Sequence, residues 1–178
     1  MSGIIGGAGR SGVIGQIHGG IKECDVWRET SGMTGGQTIA SNWERVDTDA
    51  EGKIGIGFSA PSSGVFTFPR TGVWRVDFGM RGYYNGDSRY CEGFIYVNED
   101  IAGGASYAAA SYASTFVQQT NSSHTTFGAY CSHLMNVSDT TNIKVRFDVG
   151  AYDSSVSFNG DTNYNLTYAV FTRIGDSY

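Results

Sequence analysis

Hydrophobic residues recur at every second position along most of this chain. The clearest stretch is Ser63 to Phe78 (SGVFTFPRTGVWRVDF), where Phe66 and Phe68 fall on one face of a first run, and Trp74, Val76, Phe78 and then Met80 on one face of a second. A period of two is that of a half-buried strand, and it leaves no helical stripe. Pro69 and Gly72 bracket the turn between the runs, because proline cannot donate to a ladder and glycine accepts a positive φ. Ile143, Val145, Phe147 and Val149 alternate in the same way with Lys144, Arg146 and Asp148, and Ile54 and Ile56 alternate with glycines. Ala113 to Val117 and Thr126 to Leu134 alternate weakly, and Val156 and Phe158 open a further run. Phe94 to Val97 (FIYV) is apolar on both faces, which predicts either a strand covered by the opposing sheet and a neighbouring subunit or a fully buried centre strand. Ala102 to Ser114 (AGGASYAAASYAS) reads as loop and strand, with Gly103-Gly104 in front and no helix caps. Together these runs predict an all-β, antiparallel sandwich of two sheets with the turn chemistry of a jelly roll.

Length and composition refine that picture. A chain of 178 residues suits one compact domain with a tail, and 26 glycines against two prolines, with 11 tyrosines and 10 phenylalanines, suit a turn-rich β protein whose strands use aromatics. The charged fraction of 16% is low against the usual figure of about 25%, so the surface is expected to be polar and uncharged or covered by partners. A net charge of −5 with scattered lysines and arginines excludes nucleic-acid binding. Residues 1–15 (MSGIIGGAGRSGVIG) interleave glycines with the pairs Ile4-Ile5 and Val13-Ile14, with no apolar run of signal-peptide or membrane-spanning length. They read either as a floppy tail or as an anchor that orders on assembly, the four aliphatic side chains filling pockets of another protein. Residues 16–38 are read as a neck, in which only Ile21 to Thr30 has the side-chain content for a strand or a turn of helix and Trp27 packs against the base of the head, and residues 39–178 as the head itself.

Motifs for chemistry are few. Gly7, Gly9 and Gly12 match a dinucleotide fingerprint only formally, since no strand precedes them and no helix-forming run follows. Asp47, Asp49, Glu51 and Gly52 mimic the start of a calcium loop, but its twelfth position is Phe58, so a solvated acidic turn is expected. His18, His124 and His133 stand at no metal-ligand spacing, there is no nucleophile elbow, and the chain is expected not to be an enzyme and to hold no cofactor. Cys24, Cys91 and Cys131 are read as reduced thiols, with Cys91 and Cys131 on neighbouring strands.

The run containing Ser63, Gly64, Phe66, Thr67, Pro69, Gly72, Trp74, Val76 and Phe78 resembles the signature of the globular heads of complement component 1 subcomponent q, relatives of tumour necrosis factor. It departs from that signature at Ser63, where threonine is usual, and at Phe68, usually cysteine. The resemblance would cover roughly residues 39–174, with Asn42-Trp43 and Phe58 in the opening strands and Leu166 to Ile174 as the closing strand near a trimer axis. It implies a homotrimeric jelly roll whose core signature is Phe66, Pro69, Gly72, Trp74, Val76 and Phe78, and whose interface candidates are Phe94, Tyr96, Tyr168 and Val170. Some heads of this kind hold calcium, for which Asn98, Glu99, Asp100 and Asp153 are the loop oxygens on offer here. The glycine-rich leader resembles the starts of structural proteins from marine short-tailed bacteriophages. The expectation is therefore a virion protein assembled in the bacterial cytoplasm: a trimeric capsid decoration or a tail- or fibre-associated head, in contact with other virion proteins and with a role in adhesion to a host surface glycan or protein. The alternative is a soluble carbohydrate- or protein-binding module of the complement-head type.

Overall fold

The structure, a computed structural model, describes residues 20–48, 52–100 and 102–178. The anchor residues Ile4, Ile5, Val13 and Ile14, together with His18, Asp49 and Glu51, lie outside them. The described residues form thirteen strands and no helix: β1 (Glu23–Glu29), β2 (Met33–Thr34), β3 (Gln37–Thr38), β4 (Trp43–Arg45), β5 (Lys53–Ile54), β6 (Phe66–Thr67), β7 (Gly72–Tyr84), β8 (Ser88–Asn98), β9 (Tyr107–Val117), β10 (Thr125–Val137), β11 (Lys144–Ala151), β12 (Ser157–Phe158) and β13 (Tyr168–Gly175).

All pairings are antiparallel, and two sheets face each other. In the eight-stranded sheet β7 is the spine, with β10 along the whole of one edge and β13 followed by β12 along the other. Beyond β13 lies β1, which in turn pairs with β4 and β5. The five-stranded sheet is built on β11, with β8 and then β9 on one side and the short strands β6 and β3 on the other. Apart from the β8–β9 hairpin, consecutive long strands from β7 onward switch sheets, which is the jelly-roll path.

Period-two burial explains why this sequence takes that path. Trp74, Val76, Phe78 and Met80 of β7 face Ile95 and Val97 of β8 and Val145, Phe147 and Val149 of β11 across the core. Aromatic rings fill its centre: Phe58 lies 4.2 Å from Phe171, Phe66 lies 5.0 Å from Phe171, and Phe78 stacks on Phe147 at 4.9 Å. Phe66 is completely buried and Pro69 half-buried at the turn. Gly72 opens β7 where nothing larger fits, since a Cβ there would come within 2.3 Å of Arg173 Nε.

Three expectations need correction. Residues 16–38 are not a neck as far as they are described, because β1 lies inside the eight-stranded sheet and the sandwich begins at Glu23 rather than at residue 39. The inward positions of β1 are Glu23, Asp25, Trp27 and Glu29, and their charges made the stretch look like a polar linker. The missing cations come from elsewhere: Arg45 grips Asp25 through Nε at 2.8 Å and Nη2 at 3.0 Å, and Arg70 reaches Glu23 at 2.5 Å. Asp25 also accepts the Phe58 amide at 2.6 Å. Trp27 is a core residue, in edge contact with Phe66 at 5.7 Å. Second, Cys91 and Cys131 stand on strands of opposite sheets, both free and both pointing into the core, where burial pushes the Cys131 thiol up to about 11. Third, Ile54 and Ile56 are exposed and frame only the two-residue strand β5.

Candidate functional site

A sandwich has two outward faces, and the one on the eight-stranded sheet carries an apolar surface that nothing in the described chain covers. Alternation fixes which side chains stand there. Register sets Tyr130, Gly79 and Tyr168 side by side on β10, β7 and β13, then Ser132, Asp77 and Val170, then Leu134, Arg75 and Thr172. Val26 and Cys24 of β1 extend the second and third rows. Tyr130 is 49% exposed and Leu134 58%. Single exposed apolar residues are ordinary; here the apolar groups share the face with Ser132 and the Arg75–Asp77 ion pair, and such a mixed face with several large exposed side chains is one that something else can cover.

The face has relief. Tyr168 folds its ring over Gly79, where a Cβ would come within 2.6 Å of the ring, so only glycine lets the ring lie down. A shallow groove of about 410 Å³ runs between Tyr130 and Tyr168, with Gly79, Gly128 and Ala129 among its lining. One polar cluster fixes its wall: the Tyr130 hydroxyl donates to Asp77 Oδ1 at 2.5 Å, and Arg75 Nε donates to the same oxygen at 2.8 Å. Loss of hydration, followed by the bond to Asp77, raises the Tyr130 phenol above its ordinary value. The arrangement holds the tyrosine in one orientation beside the groove, and it contains no nucleophile paired with a base.

Of the four interface candidates, Tyr168 and Val170 stand on this face. Phe94 and Tyr96 do not: they project from β8 on the outward face of the other sheet, while Ile95 and Val97, which alternate with them, point into the core. The run that is apolar on both faces is thus a strand with one buried and one half-buried side. Tyr130 and Leu134 were missed because β10 alternates weakly in sequence, although their spacing of four does place them on one face of a strand.

The calcium candidates divide as well. Asn98 and Asp153 sit at opposite ends of β8, as the pairing of Asn98 with Lys144 and the bond from the Tyr152 amide to the Tyr90 carbonyl require, so the four residues form no single site. The Asn98 amide pins two loops by donating to Gly104 O and Asn142 O, Asp100 accepts the Ala102 amide, and Asp153 accepts the Ser155 amide. Asp47, from the calcium-loop mimic, is taken by the buried Arg28, which also binds Glu44 and Thr48. Glu29 is different. Its Oε2 is buried without a hydrogen-bond partner, and desolvation pushes the carboxyl up to about 7 although the Ser31 amide and the Asn42 side chain favour the charged form.

No protein-family model and no curated protein matches this chain. Among solved structures it is similar to Eiger TNF from S. frugiperda, with a TM-score of 0.58 and 10% identity over 87% of this chain and 94% of that one. It is also similar to murine APRIL, with a TM-score of 0.54 and 8% identity over 85% of this chain and 98% of that one. The fold is a tumour-necrosis-factor-like jelly roll. At such identities the likeness concerns the path of the chain and leaves its partners open.

Proposed function

We propose that this chain is the non-enzymatic head of a homotrimeric bacteriophage structural protein, decorating a capsid or capping a tail or fibre, and anchored through its N-terminal segment. The observation that carries the assembly is the uncovered face of Tyr130, Leu134, Tyr168 and Val170 with its small-residue groove. Its closing strand β13 lies at the centre of that face, where heads of the resembled kind meet around a threefold axis. Burying such a face three times over gives each subunit the apolar contact its own chain does not supply. The virion setting rests on the resemblance of the leader to phage structural proteins and on Ile4, Ile5, Val13 and Ile14 as its docking residues. A soluble recognition module of the complement-head type is the second reading, favoured by the exposed rings Tyr112 and Phe116 on the opposite face.

Deleting Ser2 to Gly15 separates the two. The expected result is a folded trimer that no longer joins the particle. Incorporation at parental copy number would overturn the anchor and favour the recognition module.

A further inference from the structure

The outward face of the five-stranded sheet is built from other material. Phe94 stacks on Tyr112 with centroids 5.6 Å apart and planes 26° apart, and meets Tyr96 at 5.8 Å. The Arg146 guanidinium lies 5.1 Å over the Tyr96 ring and 4.6 Å over that of Tyr107. At the end of the same face Tyr90 and Tyr152 form an edge contact at 5.8 Å, with Arg89 placed 4.1 Å over Tyr152. The exposed large apolar side chains of β8, β9 and β11 are all aromatic, and their aliphatic residues larger than alanine point inward. Charge on this face also departs from the rest of the molecule. The chain carries −5 overall, whereas here Arg89, Lys144 and Arg146 stand against Glu92 and Asp148. The ion pair between Arg146 and Asp148 is long, at 3.5 Å, and the Arg146 guanidinium lies instead against the Tyr96 and Tyr107 rings.

We infer that the row of Tyr107, Tyr96, Phe94 and Tyr112, flanked by Lys144 and Arg146, is a binding platform for an acidic polysaccharide. The C–H faces of sugar rings pack on aromatic rings set side by side, and hydroxyl groups find partners in Glu92 and Ser114. The carboxylates or sulfates of the polymer meet the flanking cations. A nucleic acid presents phosphates more densely than three cations on an acidic protein can neutralise. This goes beyond the proposed function and rests on it only for the display of three platforms per trimer.

Electrophoresis of the full-length protein in native gels containing alginate, dextran or a single-stranded DNA oligonucleotide tests the platform. Retardation is expected in alginate and is expected to fall as salt rises. Tyr112 is 62% exposed, so Tyr112→Ser keeps the fold, as its melting temperature checks; it should weaken retardation roughly tenfold, and Tyr112→Trp should restore it. Unchanged mobility in alginate, equal retardation by neutral dextran, retardation by the oligonucleotide alone, or full retardation of Tyr112→Ser would each overturn the inference. Trimer mass and particle incorporation are read separately, so a failed platform is distinct from a failed assembly.

Discussion

On the outward face of the eight-stranded sheet, Tyr130, Leu166 and Tyr168 border a groove floored by glycine and alanine, with Leu134, Val170 and Val26 farther along the same face, whereas the five-stranded sheet turns out a row of rings edged with arginine and lysine. Both faces hang on one aromatic core and both obey the same alternation. The difference lies in shape and in chemistry. A groove beside flexible aliphatic groups complements a knob of protein, and its stabilisation comes from area removed from water. A flat row of tyrosines offers little depth but many polar edges, which suits a hydroxylated chain lying along it. One sandwich can therefore assemble through one face and adhere through the other.

Removing the shared support is the most damaging way to break that comparison. Trp74 is buried in β7 behind the first face and packs on Phe58 and Phe68. Trp74→Ala should cost about 3–5 kcal/mol in urea unfolding and abolish both assembly and alginate binding. A loss under about 1 kcal/mol would show that the core is not built around this residue.

Charging the outward face of the eight-stranded sheet should separate the two. Leu134→Glu or Tyr168→Glu places a carboxylate where a neighbour must exclude water, so sedimentation should find folded monomers that still bind alginate. Trimers that persist in both variants would move the interface elsewhere.

The buried acid at the end of β1 gives a pH effect that belongs to neither face. The folded-state value of Glu29, about 7, lies above its ordinary value of 4.5, so the folded chain holds the proton more tightly than the unfolded one. Stability from this group is therefore full below about pH 4.5 and is lost as pH rises to about 7, by on the order of 3 kcal/mol at about 1.4 kcal/mol per pH unit of difference. Glu29→Gln should flatten that part of the stability profile. A variant with the parental slope would show that Glu29 stays ionised and partnered.

The smallest effect is expected on the outer face. Tyr112→Ser should change stability by no more than about 0.5 kcal/mol and leave the mass in solution unaltered, while weakening polysaccharide binding.

Much of this architecture could be read in advance where alternation is strict. Trp74 to Met80 and Ile143 to Val149 fall where period two puts them, because a buried sheet face tolerates no slip of one residue. The sequence allows a strand at Ile21 to Thr30, but its place inside the sheet depends on Arg70 and Arg45, far away in sequence, being brought beside Glu23 and Asp25. Faces were harder still. Phe94 and Tyr168 are equally apolar in sequence, and only the pairing of β8 with β11 and of β13 with β7 tells that they stand on opposite sides of the molecule. Tyr130 and Leu134 carried a usable signal in their spacing, whereas the groove depends on Gly79 meeting Tyr168 across two strands and had none.

The central claim is that the face of Tyr130, Leu134, Tyr168 and Val170 is covered by further copies of the chain. Sedimentation equilibrium of the full-length protein at micromolar concentration tests it most directly. A single species of three times the chain mass, shifting to one chain mass in Leu134→Glu, is the expected result. A clean monomer for the parent would contradict it.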